Sequence, residues 1–382
     1  MSATAVHSMG KEPAIADWPP LQLEEVRAVL AHWDLPFEDA RIDWHSPRPL
    51  SAAALVELPT GGLFVKRHAA AVRDVAALAE EHRFIAHLRG AGAPVCRVLV
   101  APDGGTAWAQ GPWTYELHER GAGVDLYRDA VSWSRFENTQ HAFAAGDALA
   151  RLHTAADSYA APARRTQMLV SNDRIINAGD PLTAIQQHLE RRPALREYLA
   201  PRPWRSDIAA ALAPFHAQYR ELVPKLAALW THGDWHASNL LWSDASAGAR
   251  VRTILDFGLC DRTSAVYDFA TAIERNTIPW LDIHDGLPGA AELSQAAALV
   301  RGYLGARTLS QVEREALLAI LPIVHVGYAL SEIDYFHGIT HSAENASLAY
   351  EAFLLGHCRW FLGKEGRALR THLRDQLERR SP

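Results

Sequence analysis

Cysteine is scarce in this chain of 382 residues. Cys96, Cys260 and Cys358 are far apart and form no metal-spaced pair, which excludes a disulfide framework and suits a reducing cytoplasm. Basic charge is not in excess either. Lys and Arg number 38 against 44 Asp and Glu, a net charge of −6, so nucleic acid is not an expected partner. Long apolar runs are missing. The best, residues 316–330, is interrupted by Pro322 and His325, and no membrane span is expected. Residues 1–20 lack the basic start and apolar core of a signal peptide, and this terminus is expected to be disordered. Internal repeats and low-complexity tracts are absent. Composition is otherwise that of a globular chain, long enough for a large core and more than one domain.

What is present is concentrated in residues 231–258. The stretch opens Thr-His-Gly-Asp-Trp-His-Ala-Ser-Asn, continues Leu240-Leu241-Trp242, passes a turn-rich gap at 243–248, and closes Thr-Ile-Leu-Asp-Phe-Gly. Two short apolar runs around such a gap predict a β-hairpin. Asn239 precedes its first strand and Asp256 follows its second, so antiparallel pairing brings an amide oxygen and a carboxylate together. Hard oxygens of this kind suit Mg²⁺ carrying phosphates. Asp234, five residues before Asn239, is placed to accept a proton from a hydroxyl. The sum is the layout of a phosphoryl-transfer site. A zinc reading of His232 and His236 fails, because Gly233 follows the first His and no H-E-x-x-H glutamate is present.

His232-Gly233-Asp234 with Asn239 resembles the H-G-D-x-x-x-x-N catalytic loop of the aminoglycoside phosphotransferase family, and Asp256-Phe257-Gly258 resembles the kinase D-F-G. Together the two motifs are specific. The resemblance covers residues 41–269 as an ordered series. It implies an α+β, bilobal protein-kinase-like fold: a small five-stranded antiparallel lobe with one helix over residues 21–117, and a larger, mainly helical catalytic and acceptor-binding lobe over 118–382. It also implies ATP and Mg²⁺, with Asp234 as base and Asn239 and Asp256 as metal ligands. His232 and Asp268 then serve as structural supports of the catalytic loop.

The small lobe reads as strands at 41–45, 52–58 and 63–67, a helix at 74–89, and short strands over 98–117. Lys66 lies on the third strand. Val75, Leu78, Ile85 and Leu88 make the helix's apolar stripe, and Glu81 falls inside it, so Glu81 is expected to pair with Lys66 as kinases pair a strand lysine with a helix glutamate. Glu80 lies off the stripe. The loop 46–51 has no G-x-G-x-x-G. Ser46 and Arg48 are candidate phosphate donors there, and a rigid turn is the plain alternative. The resemblance places adenine against backbone near Tyr115 to Leu117, before a hinge at 118–123.

The large lobe reads as helices at 139–156, 172–200, 206–229, 295–304, 311–336 and 346–362. The first puts Phe143, Ala145, Leu149 and Leu152 on one face, with His153 a satisfied core residue. Only eleven residues separate Asp256 from Asp268, and no A-P-E follows. That leaves no room for a peptide platform and favours a small-molecule hydroxyl acceptor: an amino alcohol, an amino acid, a sugar or an aminoglycoside-like compound. A Ser/Thr protein kinase of the stress-response type is the enzymatic alternative. A nucleotide-binding pseudokinase is the other, with Lys66, Asp234, Asn239 and Asp256 all intact against it. Glu332, Asp334 and His337 are the candidate acceptor residues. The acceptor's identity, ATP against GTP, and the oligomeric state stay open.

Overall fold

The computed structural model describes residues 5–6, 10–12, 14–131 and 133–378. A two-residue ladder comes first, β1 (Ala5–Val6) against β2 (Ala14–Ile15). Helix α1 (Leu23–His32) follows. Then come β3 (Arg41–His45), β4 (Ala52–Leu58), β5 (Gly61–Ala69), helix α2 (Val75–Gly90), β6 (Ala107–Gln110) and β7 (Trp113–Glu119). The last five strands form one antiparallel sheet in the order β3-β4-β5-β7-β6. One face, with Val56, Val65, Tyr115 and Leu117, is covered by Val26, Val29 and Leu30 of α1 in a core of its own. Residues 98–100 make only an isolated bridge, Val98 to His118, rather than a strand.

The rest of the chain is mainly helical around a second, larger core that also takes in Phe84, Ile85 and Leu88 of α2. Its helices are α3 (Thr139–Ala156), α4 (Pro181–Glu190), α5 (Pro193–Leu199), α6 (Trp204–Arg220), α7 (Ala265–Thr277), α8 (Trp280–His284), α9 (Leu293–Ala306), α10 (Gln311–Ile320), α11 (Val326–Gly338), α12 (Ala343–Leu348), α13 (His357–Leu362) and α14 (Lys364–Glu378). A π-helical stretch, Ala349–Gly356, joins α12 to α13. Two ladders interrupt the helices: β8 (Ala228–Thr231) with β11 (Asp261–Ser264), and β9 (Leu240–Trp242) with β10 (Val251–Ile254). No helix among the described residues is long and apolar enough to cross a membrane.

Several expectations need correction. Residues 14–20 are packed rather than disordered. Trp18 lies edge-on to Trp113 at 5.5 Å and donates from Nε1 to Tyr335 at 3.1 Å, while Tyr335 donates to Asp17 at 2.9 Å. Residues 1–4, 7–9 and 13 of that expectation lie outside the described residues. The helix expected over 172–200 begins only at Pro181, and the one over 311–336 is two helices, because Pro322 cannot continue the ladder of the first. The segment 206–229 ends in strand β8. Phe143 is exposed at 45%, since it stands two residues, about 200° of helix, from Ala145.

Candidate active site

The loop from His232 to Asn239 leaves β8 and enters β9. Its backbone is held by Asp268, fully buried in the first turn of α7. The His232 and Gly233 amides donate to Asp268 at 2.9 Å each, and His153 bonds the same carboxylate at 3.0 Å. Two amides and an imidazole on one buried carboxylate anchor the loop rigidly. Gly233 sits at φ +77°, and a Cβ there would fall 2.6 Å from the Leu259 carbonyl oxygen, so only glycine makes this turn. His232 Nε2 donates to Leu255 O at 2.8 Å, and its Nδ1 accepts from the Asp234 amide at 3.2 Å. Both ring nitrogens are used in bracing the loop against the D-F-G segment.

The hairpin of β9 and β10 pairs Leu240 with Ile254, and the Leu255 amide donates to Asn239 O at 2.8 Å. Asn239 and Asp256 therefore stand side by side. Asn239 Nδ2 donates to the carbonyl oxygen of Asp234 at 3.0 Å and to its carboxylate at 3.1 Å, which turns the amide oxygen Oδ1 away from Asp234. Asp256 adopts φ +53°, a left-handed conformation that costs a non-glycine residue energy and recurs at functional sites. Its Oδ1 accepts from Lys66 Nζ at 2.9 Å and from the Gly258 amide at 3.1 Å. Burial opposes its ionisation, but Lys66 outweighs that and holds the carboxyl below its ordinary range. Asn239 Oδ1 and Asp256 Oδ2 take no hydrogen bond from the described residues. Two hard oxygens on one edge fit Mg²⁺.

Asp234 is ion-paired with Arg275 at 2.7 Å and lies 3.5 Å from His236. Burial again opposes ionisation. Arg275 first, then His236, overcome it and hold the carboxyl far below its ordinary range. Arg275 stands in the last turn of α7, with its guanidinium over the Tyr328 ring.

Two cavities meet at this point. One, about 180 Å³, lies between the sheet and the β9–β10 hairpin, with Leu55, Phe64, Leu241 and Phe257 among its apolar walls. The other, about 150 Å³, lies against α7 and α11 and contains Asp234, Arg275, Tyr328 and Glu332. Arg48, Lys66, Asn239 and Asp256 line both. Ser46 lines the first. Arg48 reaches across from the loop between β3 and β4 to donate to Ser238 at 2.6 Å and to Ala130 O at 3.0 Å.

A match to the phosphotransferase enzyme family spans residues 50–315. The chain belongs to that family. Members are enzymes that phosphorylate hydroxyl groups of small molecules, and this chain is such a phosphotransferase. Among solved structures, a microcompartment-associated aminopropanol kinase shares 20% identity over 91% of this chain and 100% of its own, with a TM-score of 0.57. The amicoumacin kinase hAmiN, in complex with AMP-PNP, Ca²⁺ and Ami, shares 14% over 93% of each chain, with a TM-score of 0.55. An ethanolamine kinase of Plasmodium vivax shares 11% over 88% of this chain and 87% of its own, with a TM-score of 0.57. These likenesses establish the shared protein-kinase-like fold. No curated protein matches the sequence.

Within this phosphotransferase, four expected site residues stand elsewhere, and a fifth, Glu81, has another partner. Glu81 is buried and lines the larger cavity, but its ion pair is with Arg164 at 3.5 Å, and Lys66 pairs with Asp256 instead. The apolar stripe correctly implied a buried carboxylate, yet a buried arginine from the loop after α3 was closer than the strand lysine. Arg164 also donates to Gly258 O at 3.1 Å and Ala77 O at 2.9 Å, clamping α2 to the D-F-G segment. Tyr115 and Leu117 point into the sheet's other core. The Tyr115 hydroxyl donates to Glu25 at 2.6 Å, and Leu117 O accepts from the Leu99 amide at 2.8 Å. Side chains alternate along a strand, so Glu116 and His118 face the cavity instead. β7 also runs on to Glu119, and Glu119, Arg120 and Gly121 line this cavity.

Asp334 accepts from the Leu195 amide at 3.1 Å and pairs with Arg192 at 3.3 Å. His337 packs beside Tyr198 and Glu197. Neither lines the cavity against α7 and α11. Glu332 does, because two residues along α11 is about 200° of rotation. Its Oε2 is buried with no hydrogen-bond partner, and burial pushes the carboxyl's pKa up to about 8 against the pull of Arg275 and of the Tyr328 hydroxyl. Arg275, Arg164 and Glu116 escaped the reading of the sequence. Glu116 accepts from His68 at 2.8 Å, His82 at 2.6 Å and His118 at 2.9 Å. A lone arginine at a helix end carries no motif, and only the fold lays Arg275 on Asp234.

Proposed function

We propose that the enzyme moves the γ-phosphoryl group of ATP, with Mg²⁺, to the hydroxyl of a small acceptor that also carries an amine. The observation that carries this reading is the meeting of two cavities across Arg48, Lys66, Asn239 and Asp256. An apolar-walled cavity on one side suits a purine, and a charged cavity bearing Asp234 on the other suits an acceptor. The small sheet domain up to β7 holds the nucleotide in this reading, and the helical remainder holds the acceptor. Three of the structural relatives support the substrate class: an aminopropanol kinase, an ethanolamine kinase and an amicoumacin kinase bound to AMP-PNP.

Each residue then has a task. Lys66 and Arg48 face the phosphates from the donor side. Asn239 Oδ1 and Asp256 hold Mg²⁺, which supplies positive charge to the transferring group. Asp234 accepts a hydrogen bond from the acceptor hydroxyl and aims its oxygen at the γ-phosphorus. The new O–P bond forms as the bond from phosphorus to the β,γ-bridging oxygen breaks. With Arg275 holding Asp234 ionised, the carboxylate is a weak proton acceptor. Its main work is orientation, and the hydroxyl proton passes to Asp234 only late, as a loose phosphoryl-transfer transition state permits, and from there to solvent. Glu332 is the anchor for the acceptor's ammonium, which would supply the partner its buried Oε2 lacks.

The test is ADP release by purified protein with ATP and Mg²⁺ against a panel of hydroxy-amines, their deaminated analogues, amino acids and sugars. Acceptor-dependent ADP release with a hydroxy-amine, and not with its deaminated analogue, is the expected result. Preference for a neutral sugar would overturn the amine, and acceptor-independent hydrolysis alone would overturn transfer.

A further inference from the structure

Behind the acceptor-side cavity lies a second constellation that phosphoryl transfer does not use. Glu274 of α7, His325 at the start of α11 and His357 at the start of α13 are all buried, and one carboxylate oxygen and one nitrogen from each ring lie within 4.8 Å of one another. We propose that these three residues form a binding site for a divalent transition metal, Zn²⁺ by its chemistry, which ties α7, α11 and α13 together behind the acceptor pocket.

Three observations carry the assignment. The first is an unsatisfied atom: His325 Nδ1 is buried without a hydrogen-bond partner, while its Nε2 lies 3.2 Å from Leu354 O. A native interior rarely leaves such an atom unpaired without a metal or water to take it. The second is space. Glu274 and His325 both line a cavity of about 10 Å³, room for one small occupant. The third is the donor set. Two neutral imidazoles and a carboxylate are ligands for zinc, whereas Mg²⁺ takes oxygens. Burial lowers the pKa of His325 to about 3 and keeps it neutral, as a ligand must be. Zinc bonds of about 2.1 Å set tetrahedral ligand atoms about 3.4 Å apart, so the Glu274–His357 pair, now 2.8 Å apart, opens by about 0.6 Å and the atoms that lie up to 4.8 Å apart close in by up to about 1.4 Å.

Proton bookkeeping permits it. His357 Nδ1 donates to Glu274 at 2.8 Å, so its Nε2 is the acceptor for His284 Nε2 at 3.1 Å. His284 Nδ1 is then a bare, buried nitrogen without a partner. When a metal takes His357 Nδ1, that proton moves to His357 Nε2 and the His284 proton moves to its own Nδ1. Both rings change tautomer and no charge is lost. Trp280 stacks on His357 at 3.4 Å and closes the site on one side. The cluster of His82, Glu116 and His118 differs in this respect: each of those rings has its Nε2 on Glu116, and none of its fully buried atoms is left unpaired.

Tag-free protein, stripped with chelator and dialysed against Zn²⁺, decides the matter by elemental analysis and thermal melting. About one zinc per chain and a melting temperature several degrees above the stripped protein are expected. Glu274→Gln and His325→Phe, the latter keeping the stack on Phe353, should lose both. His82→Gln and His118→Gln should keep both. If the inner variants do not fold, Co²⁺ loaded into wild type should show the visible absorption of a tetrahedral nitrogen and oxygen site. No bound zinc and no melting shift in wild type would overturn the proposal, leaving a buried water as the occupant. Zinc lost with His82 or His118 instead would overturn it equally. None of these readouts depends on turnover, so the proposed acceptor chemistry stands or falls separately.

Discussion

At the scale of single residues, the site separates charge from proton transfer. Asp256→Asn removes a carboxylate from the metal edge and from Lys66, leaving Lys66 buried beside a neutral amide. Turnover should fall below detection even in saturating Mg²⁺, while circular dichroism stays that of wild type. Asp234→Asn should cut kcat by about 10²–10⁴ with KM for ATP within about twofold, because a hydroxyl-orienting group acts in the transition state. A weakened ATP affinity with unchanged kcat would reassign Asp234. Glu332 makes a pH prediction. Its folded pKa of about 8 lies above the ordinary 4.5, so the native state holds a proton that the unfolded chain releases. Its stability contribution is present in full below pH 4.5 and is lost as pH rises to about 8. Urea midpoints of wild type and Glu332→Gln should therefore diverge across that window, with the variant gaining relative stability at pH 8.5. Acceptor KM should also be raised in Glu332→Gln, and the fall of wild-type KM towards pH 8 should be flattened. Parallel midpoints at all pH values would mean that Glu332 does not titrate there.

At the scale of elements, the catalytic loop was legible because its constraints are local. The hairpin at 240–254 follows from two apolar runs and a turn, and the structure pairs Leu240 with Ile254 as that pattern requires. Gly233 is a local constraint too. Gly233→Ala puts a methyl 2.6 Å from the Leu259 carbonyl at a φ that alanine avoids. A loss of about 2–4 kcal/mol in urea unfolding is expected, together with near-complete loss of kcat; an active variant of wild-type stability would contradict the rigid loop. Strand ends were less legible. β7 runs two residues beyond Leu117, because pairing with β5 continues from Val65–Leu117 to Leu63–Glu119. An exposed, polar strand end looks like a hinge until its partner is known. The break at Pro322 and the π-helical Ala349–Gly356 before His357 likewise reflect packing that no periodicity announces.

At the scale of the whole molecule, the N-terminal segment joins its two cores. Trp18 touches Trp113 of the sheet and Tyr335 of α11, one residue from Phe336 in the cavity that holds Asp234 and Glu332. Trp18→Ala should cost about 1–2 kcal/mol of stability by urea denaturation, from a lost ring contact and hydrogen bond. It should also raise acceptor KM more than ATP KM. The Lys11 pairs to Asp282 and Asp285, at 2.6 and 2.8 Å, are solvent-exposed and add little.

Sequence alone determined the reaction class, since Asp234, Asn239 and Asp256 are set by a loop and a hairpin whose geometry depends on near neighbours. The kinase-like fold came through the family resemblance that the same motifs and the strand order before them carry. Tertiary structure decided the partners of every buried charge: Arg164 for Glu81, Arg275 for Asp234, three histidines for Glu116. Four of these five pairs join residues 34 to 83 positions apart, and a buried charge takes whichever opposite group the packing brings nearest. Pattern along a chain carries periodicity and turns. It does not carry distance across a core.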